Sequence, residues 1–78
     1  MPQNSSLAPN ATHDFKANTE VKITNNSPDG GSIRVVVSGS HPTTTDYTIP
    51  ANDSINILAQ AAFTITNTGA GTLELSWD

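Results

Sequence analysis

From Glu20 onward the chain consists of short runs in which apolar and polar residues alternate. Each run is closed within a few positions by Gly, Pro, Asn, Asp or Ser. A period of two puts successive side chains on opposite faces of an extended strand, whereas a helix needs a period of ~3.6. No segment sustains the helical period, so the chain can bury its apolar residues only as β-structure.

Six runs read as strands. Residues 20–25 place Val21 and Ile23 on one face, and residues 32–38 place Ile33, Val35 and Val37 together. Between these two runs, Asn26-Ser27-Pro28-Asp29-Gly30-Gly31 predicts a hairpin turn, with Gly free to take positive φ. The others are residues 46–49, stopped by Pro50, and residues 54–58, 62–67 and 72–77. Thr68-Gly69-Ala70-Gly71 reads as a second hairpin turn. The predicted core is Val21, Ile23, Ile33, Val35, Val37, Tyr47, Ile49, Ile55, Ile57, Phe63, Ile65, Leu73, Leu75 and Trp77. One-sided alternation between regular turns predicts a small antiparallel β-sandwich or jelly-roll-like module of about six short strands.

Residues 1–13 have a different character. Met1 and Leu7 are their only sizeable apolar side chains. Such a segment cannot offset its ordering entropy by its own burial. It is expected to be an extended polar N-terminal arm preceding a sandwich domain of residues 14–78, held in place by a neighbouring subunit.

At 78 residues the chain makes one domain with a marginal core. It contains no Cys, which removes disulfides and thiolate metal sites as supports. Oligomerisation remains as a source of stability. Three basic residues against seven acidic ones give a net charge of −4. That balance argues against tracking a phosphate backbone and against docking on an anionic membrane. No apolar run approaches the ~20 residues of a membrane-spanning helix, and no signal peptide is visible. Ser, Thr and Asn supply 27 of the 78 residues, a bias common on virion and extracellular surfaces but also natural to strands and turns.

Chemical motifs are missing. His13 adjoins Asp14, a poor relay geometry with no nucleophile motif nearby, and His41 lies in a Pro-flanked loop. Asp29, Asp46 and Asp53 fall at predicted turns, where Asp is expected without any calcium role. The sequons at Asn4, Asn10, Asn25 and Asn52 would matter only in a secreted protein. No cofactor or metal is expected, and no enzyme activity.

Two internal echoes occur. Lys16 to Ile23 resembles Pro50 to Ile57, and Ile23-Thr24-Asn25 resembles Ile65-Thr66-Asn67. Their offsets differ, so both are read as one recurring device, an entry turn before a strand, rather than as a duplicated fold. Val36 is apolar on the face opposite Val35 and Val37. A strand apolar on both faces is usually covered on both.

These features lead to a non-enzymatic structural or interaction protein of a larger assembly. The most concrete version is a small virion surface protein, such as a phage capsid decoration or cement protein, located on a virion or extracellular surface. Its expected partners are proteins, capsid or assembly subunits or other copies of itself, with no nucleic acid and no membrane; a homo-oligomer is expected. Leu7 and Pro9 of the arm, with Arg34, Val36 and Trp77 of the body, are the expected partner contacts. The alternative is an extracellular carbohydrate- or receptor-binding module of lectin or adhesin type, which would need an exposed aromatic or an Asp/Asn cluster at one loop end.

Overall fold

The computed structural model describes residues 2–78. The chain forms eight strands: β1 (Gln3–Leu7), β2 (Thr12–Phe15), β3 (Glu20–Asn25), β4 (Gly31–Val37), β5 (Thr43–Ile49), β6 (Asp53–Leu58), β7 (Phe63–Asn67) and β8 (Leu73–Trp77). They make two four-stranded antiparallel sheets, ordered β1-β8-β3-β6 and β2-β7-β4-β5. This is the strand order of a jelly roll, in which consecutive strands mostly alternate between sheets. The alternating pattern therefore names the class correctly, with eight strands rather than six.

The two extra strands come from the segment read as an arm. β1 pairs along its whole length with β8, from Gln3 opposite Trp77 to Leu7 opposite Leu73. β2 pairs with β7, from Thr12 opposite Thr66 to Phe15 opposite Phe63. Leu7 and Phe15 both enter the core. The polar composition misled because β1 is an edge strand, and Leu7 is the one β1 side chain that is fully buried. Backbone pairing to β8 holds the rest. Met1 lies outside the described residues.

The expected hairpin between residues 20–25 and 32–38 does not form. β3 pairs with β6 and β8, while β4 lies in the other sheet and pairs with β5 and β7. The intervening loop is a corner that carries the chain across the sandwich. Its geometry is fixed by Asn25, which is buried at the end of β3. The Asn25 Nδ2 donates to the carbonyls of Asp29 at 2.8 Å and Ile49 at 3.2 Å, and its Oδ1 accepts from the Ser27 amide at 3.0 Å. The side chain thus satisfies backbone groups that a hairpin would have paired strand to strand. Gly31 leaves room beside it, since a Cβ there would lie 3.3 Å from both the Asn25 Nδ2 and a Leu73 methyl.

Asn67 repeats the device at the corner between β7 and β8. Its Nδ2 donates to the carbonyls of Leu7 at 2.9 Å and Gly71 at 2.7 Å, and its Oδ1 accepts from the Gly69 amide at 2.9 Å. The turn at Gly69 to Gly71 is therefore also a corner between sheets. Among the described residues, the only ladder between consecutive strands is that of β4 with β5.

The echo Ile23-Thr24-Asn25 and Ile65-Thr66-Asn67 is thus part of a repeated fold, contrary to the reading as a turn device alone. A shift of 42 positions carries β1 into β5, β2 into β6, β3 onto β7 and most of β4 onto β8. The outer registers follow the same shift: Leu7 opposite Leu73 becomes Ile49 opposite Gly31, and Val21 opposite Ile57 becomes Phe63 opposite Phe15. The central ladders differ by two residues, since Ile23 faces Leu75 whereas Ile65 faces Val35. Every ladder joins a strand of the first half to a strand of the second. The other echo does mark entry turns. Asn18 and Asn52 both take left-handed φ, 63° and 57°, two residues before β3 and one before β6, a conformation that Asn tolerates better than most residues.

The core consists of Leu7, Phe15, Val21, Ile23, Ile33, Val35, Ile49, Ile57, Phe63, Ile65, Leu73 and Leu75, with Val37, Ile55 and Trp77 partly buried against it. Tyr47, expected inside, is 39 % exposed. It lies on the edge strand β5, which has a neighbouring strand on one side only.

Candidate functional site

The expected contact residues do not converge. Leu7 is a core residue at 2 % exposure and is not available to a partner. Pro9 is exposed in the turn between β1 and β2. Arg34 and Val36 share the outer face of the β2-β7-β4-β5 sheet. Trp77 sits at one end of the sandwich, against Phe15 and His13. The sequence thus points to two separate surfaces.

The first is the outer face around Val36. Ladder registers place Val36 between Thr44 of β5 and Thr64 of β7, and Arg34 between Asp46 and Thr66. Thr12 and Thr48 extend the same face. Val36 is half-buried among these neighbours. The charges on this face are engaged within the chain. The Arg34 Nε donates to Asp46 at 2.9 Å, and the Thr64 hydroxyl donates to the Asp14 carboxylate at 2.6 Å. The exposed ion pair contributes little to stability, but it leaves no lone charge beside Val36.

This face ends at β5, the longest edge strand of the sandwich at seven residues. Its far side has no neighbouring strand. Natural edge strands are usually guarded by Lys, Pro, a bulge or short length. Thr43-Thr44-Thr45-Asp46-Tyr47-Thr48-Ile49 contains neither Lys nor Pro, its one charge, Asp46, is paired with Arg34, and its ladder to β4 runs without a bulge.

The second surface surrounds Trp77. The indole meets Phe15 edge-on, with ring centroids 4.9 Å apart, and His13 at 5.0 Å; His13 in turn stacks on Phe15 at 4.5 Å. Phe15 stacks on the buried Phe63 at 5.4 Å. Sequence reasoning placed Trp77 fully inside, because Leu73, Leu75 and Trp77 share a face. It is half-buried because it ends the strand, where the sandwich opens. Two clefts flank it. One of about 410 Å³ is lined by Asn18, Thr19, Glu20, Lys22, Asn56 and Ser76, among others; the second, of about 240 Å³, is bounded by His13, Asp14 and Lys16. Sequence analysis missed this grouping, since its members come from β3, β6, β8 and the loop before β3, which only the sheet order brings together.

Among the described residues no three His, Cys, Asp or Glu side chains gather in a group that could hold a metal ion, so Asp29, Asp46 and Asp53 do not converge. His41 is exposed in the β4–β5 loop. Asn25, one of the four sequons, is 1 % exposed and inaccessible to modification in the folded chain.

Strand order thus defines a small jelly-roll sandwich. No family model matches the chain, and no curated protein matches it. Among solved structures, the CENP-C cumin domain of Drosophila melanogaster shares the fold, with a TM-score of 0.57 at 13 % identity, covering 99 % of this chain and 56 % of that one. The chain thus spans little more than half the length of that neighbour, and the likeness is one of fold.

Proposed function

We propose that the chain is a non-enzymatic structural and interaction protein of a larger assembly, which docks protein subunits, its own copies first, along β5 and the adjoining face around Val36. The observation that carries this reading is the unguarded seven-residue edge of β5. A partner strand added there would pair the free backbone groups and extend the sheet, the usual physics of β-augmentation. The face beside it suits an interface centre, which is depleted in free charge. A small virion surface protein, decorating or cementing a capsid, is the concrete form of the proposal. It is supported by small size, the absence of Cys and a hydroxyl-rich, acidic surface.

Sedimentation velocity over a range of concentrations tests it. Self-association is expected, weakly dependent on salt, and reduced by Val36→Lys and by Thr44→Lys with unchanged circular dichroism. A chain that stays monomeric at all concentrations, or an oligomer indifferent to both substitutions, overturns the reading.

A further inference from the structure

The sandwich has two open sides, each bordered by an edge strand from either sheet: β1 with β2, and β5 with β6. The two sides are filled differently. Beside β1 and β2, Phe15, His13 and Trp77 pack ring against ring. Beside β5 and β6, the inward positions are held by Tyr47 and Ile55, which lie opposite the buried Ile33 and Ile23 in their ladders. Ile55 is partly buried, and Tyr47 is 39 % exposed. Among the described residues, every ring contact involves Phe15 or Trp77, and Tyr47 takes part in none. A large aromatic side chain thus stands half-covered on the strand whose edge is unguarded. Tyr in that setting is a common interface anchor.

The occupant follows from the sequence of β5, which is complementary to itself. In a two-fold antiparallel pairing, one residue meets its own copy at the axis, and the others pair symmetrically about it. Inward side chains must pair with inward ones, so the axis falls on a residue and not between two. An axis at Asp46 sets two carboxylates directly opposite each other, which is destabilising. An axis at Thr45 leaves Tyr47 opposite Thr43, at the end of the paired segment. An axis at Tyr47 brings the two exposed rings together in the middle of the contact, where binding energy concentrates. Thr45 then faces Ile49 of the second copy, and Asp46 faces Thr48. The last pair repeats chemistry already used inside the chain. Directly opposite in their ladders, Thr64 donates to Asp14 at 2.6 Å and Ser6 donates to Glu74 at 2.9 Å.

We infer that two copies of the chain pair β5 to β5 about a two-fold axis at Tyr47, which joins two four-stranded sheets into one of eight strands. The inference rests on the reading of β5 as a docking edge, and adds to it the partner strand, the register and the anchoring residue.

Isotope-filtered NMR on a mixture of labelled and unlabelled full chain tests the register. An intermolecular contact between Thr45 and Ile49 is expected. Sedimentation of variants gives a second readout. Thr48→Lys sets a cation opposite Asp46 of the other copy, twice per dimer, and is expected to tighten association about two- to thirtyfold. Thr48→Asp is expected to loosen it by a similar factor. Tyr47→Ala is expected to weaken association at least about tenfold, with unchanged circular dichroism. A chain that is monomeric throughout overturns this inference together with the docking reading. Self-association that sets Thr45 against Thr45 or against Tyr47 overturns the inference alone and leaves β5 as the docking edge. So does an oligomer that Thr48→Lys loosens while Thr44→Lys tightens it, since that pattern belongs to an axis at Thr45.

Discussion

Asn25 and Asn67 share three hydrogen bonds from equivalent places: each accepts from the amide two residues on, and donates to the carbonyl four residues on and to that of the last residue of a strand in the other half, and Asn25 adds a longer bond to the Pro50 carbonyl at 3.4 Å. Both are essentially inaccessible to water. Removing either amide strands several backbone groups at a corner. Asn25→Ala and Asn67→Ala are each expected to lower stability by about 2–4 kcal/mol in urea unfolding, since the lost bonds leave partners unsatisfied. Near-equal losses are expected because the roles are equal. A loss below about 0.5 kcal/mol for either, the level of an ordinary surface change, would remove the corner role assigned to it.

β1 belongs to the sandwich, so its core side chain carries stability. Leu7→Ala is expected to cost about 2–5 kcal/mol, as for other fully buried Leu residues. Deleting residues 2–7 is expected to abolish cooperative unfolding, because it also exposes the β8 backbone. A truncated chain with an unchanged denaturant midpoint would contradict the paired position of β1.

Trp77 is half-buried at the open end, so its truncation should cost less than that of a core aromatic. Trp77→Ala is expected to destabilise by about 1–3 kcal/mol, below the ~3–5 kcal/mol of full burial. Iodide is expected to quench the native emission in part. Emission wholly inaccessible to iodide would place the indole inside the core instead.

Gln3 faces Trp77 across the β1–β8 ladder, so the two ends of the described chain lie side by side. A circular permutant that joins them with a short Gly-Ser linker and opens between Gly39 and Ser40, in the exposed β4–β5 loop, is expected to fold to the same circular dichroism spectrum. Failure of several linker lengths to fold would count against this strand order.

Much of the core was legible in the sequence, because alternation is local: Val21, Ile23, Ile33, Val35, Ile65, Leu73 and Leu75 fall inside as the period of two requires. Pairing was not legible. Pro28 to Gly31 carries hairpin-type residues, yet the preceding Asn25 side chain bonds the backbone of that loop and turns it into a corner. The signal was present in Ile23-Thr24-Asn25 and its copy, but its meaning depends on a partner carbonyl far along the chain. β1 was invisible for a related reason. An edge strand with one buried residue has the composition of a loop, and its pairing with β8 is set by the whole topology. Arg34 and Val36 were correctly placed on one outward face. The cleft beside Trp77 was not foreseeable, because sheet order alone assembles it.

The interlocking of the two halves has a kinetic side. Since no strand of the first half pairs with another strand of that half, nothing laid down early in the chain can be completed by its own neighbours. Apart from the local β4–β5 hairpin, folding must wait for sequence-distant partners, which makes it slow for its size and keeps edges unpaired meanwhile. During that wait, the second half of another molecule fits as well as the chain's own. Refolding at high concentration should therefore yield interlocked dimers by mutual exchange of halves, and shortening the β4–β5 loop should make the exchanged form the only one the chain can reach.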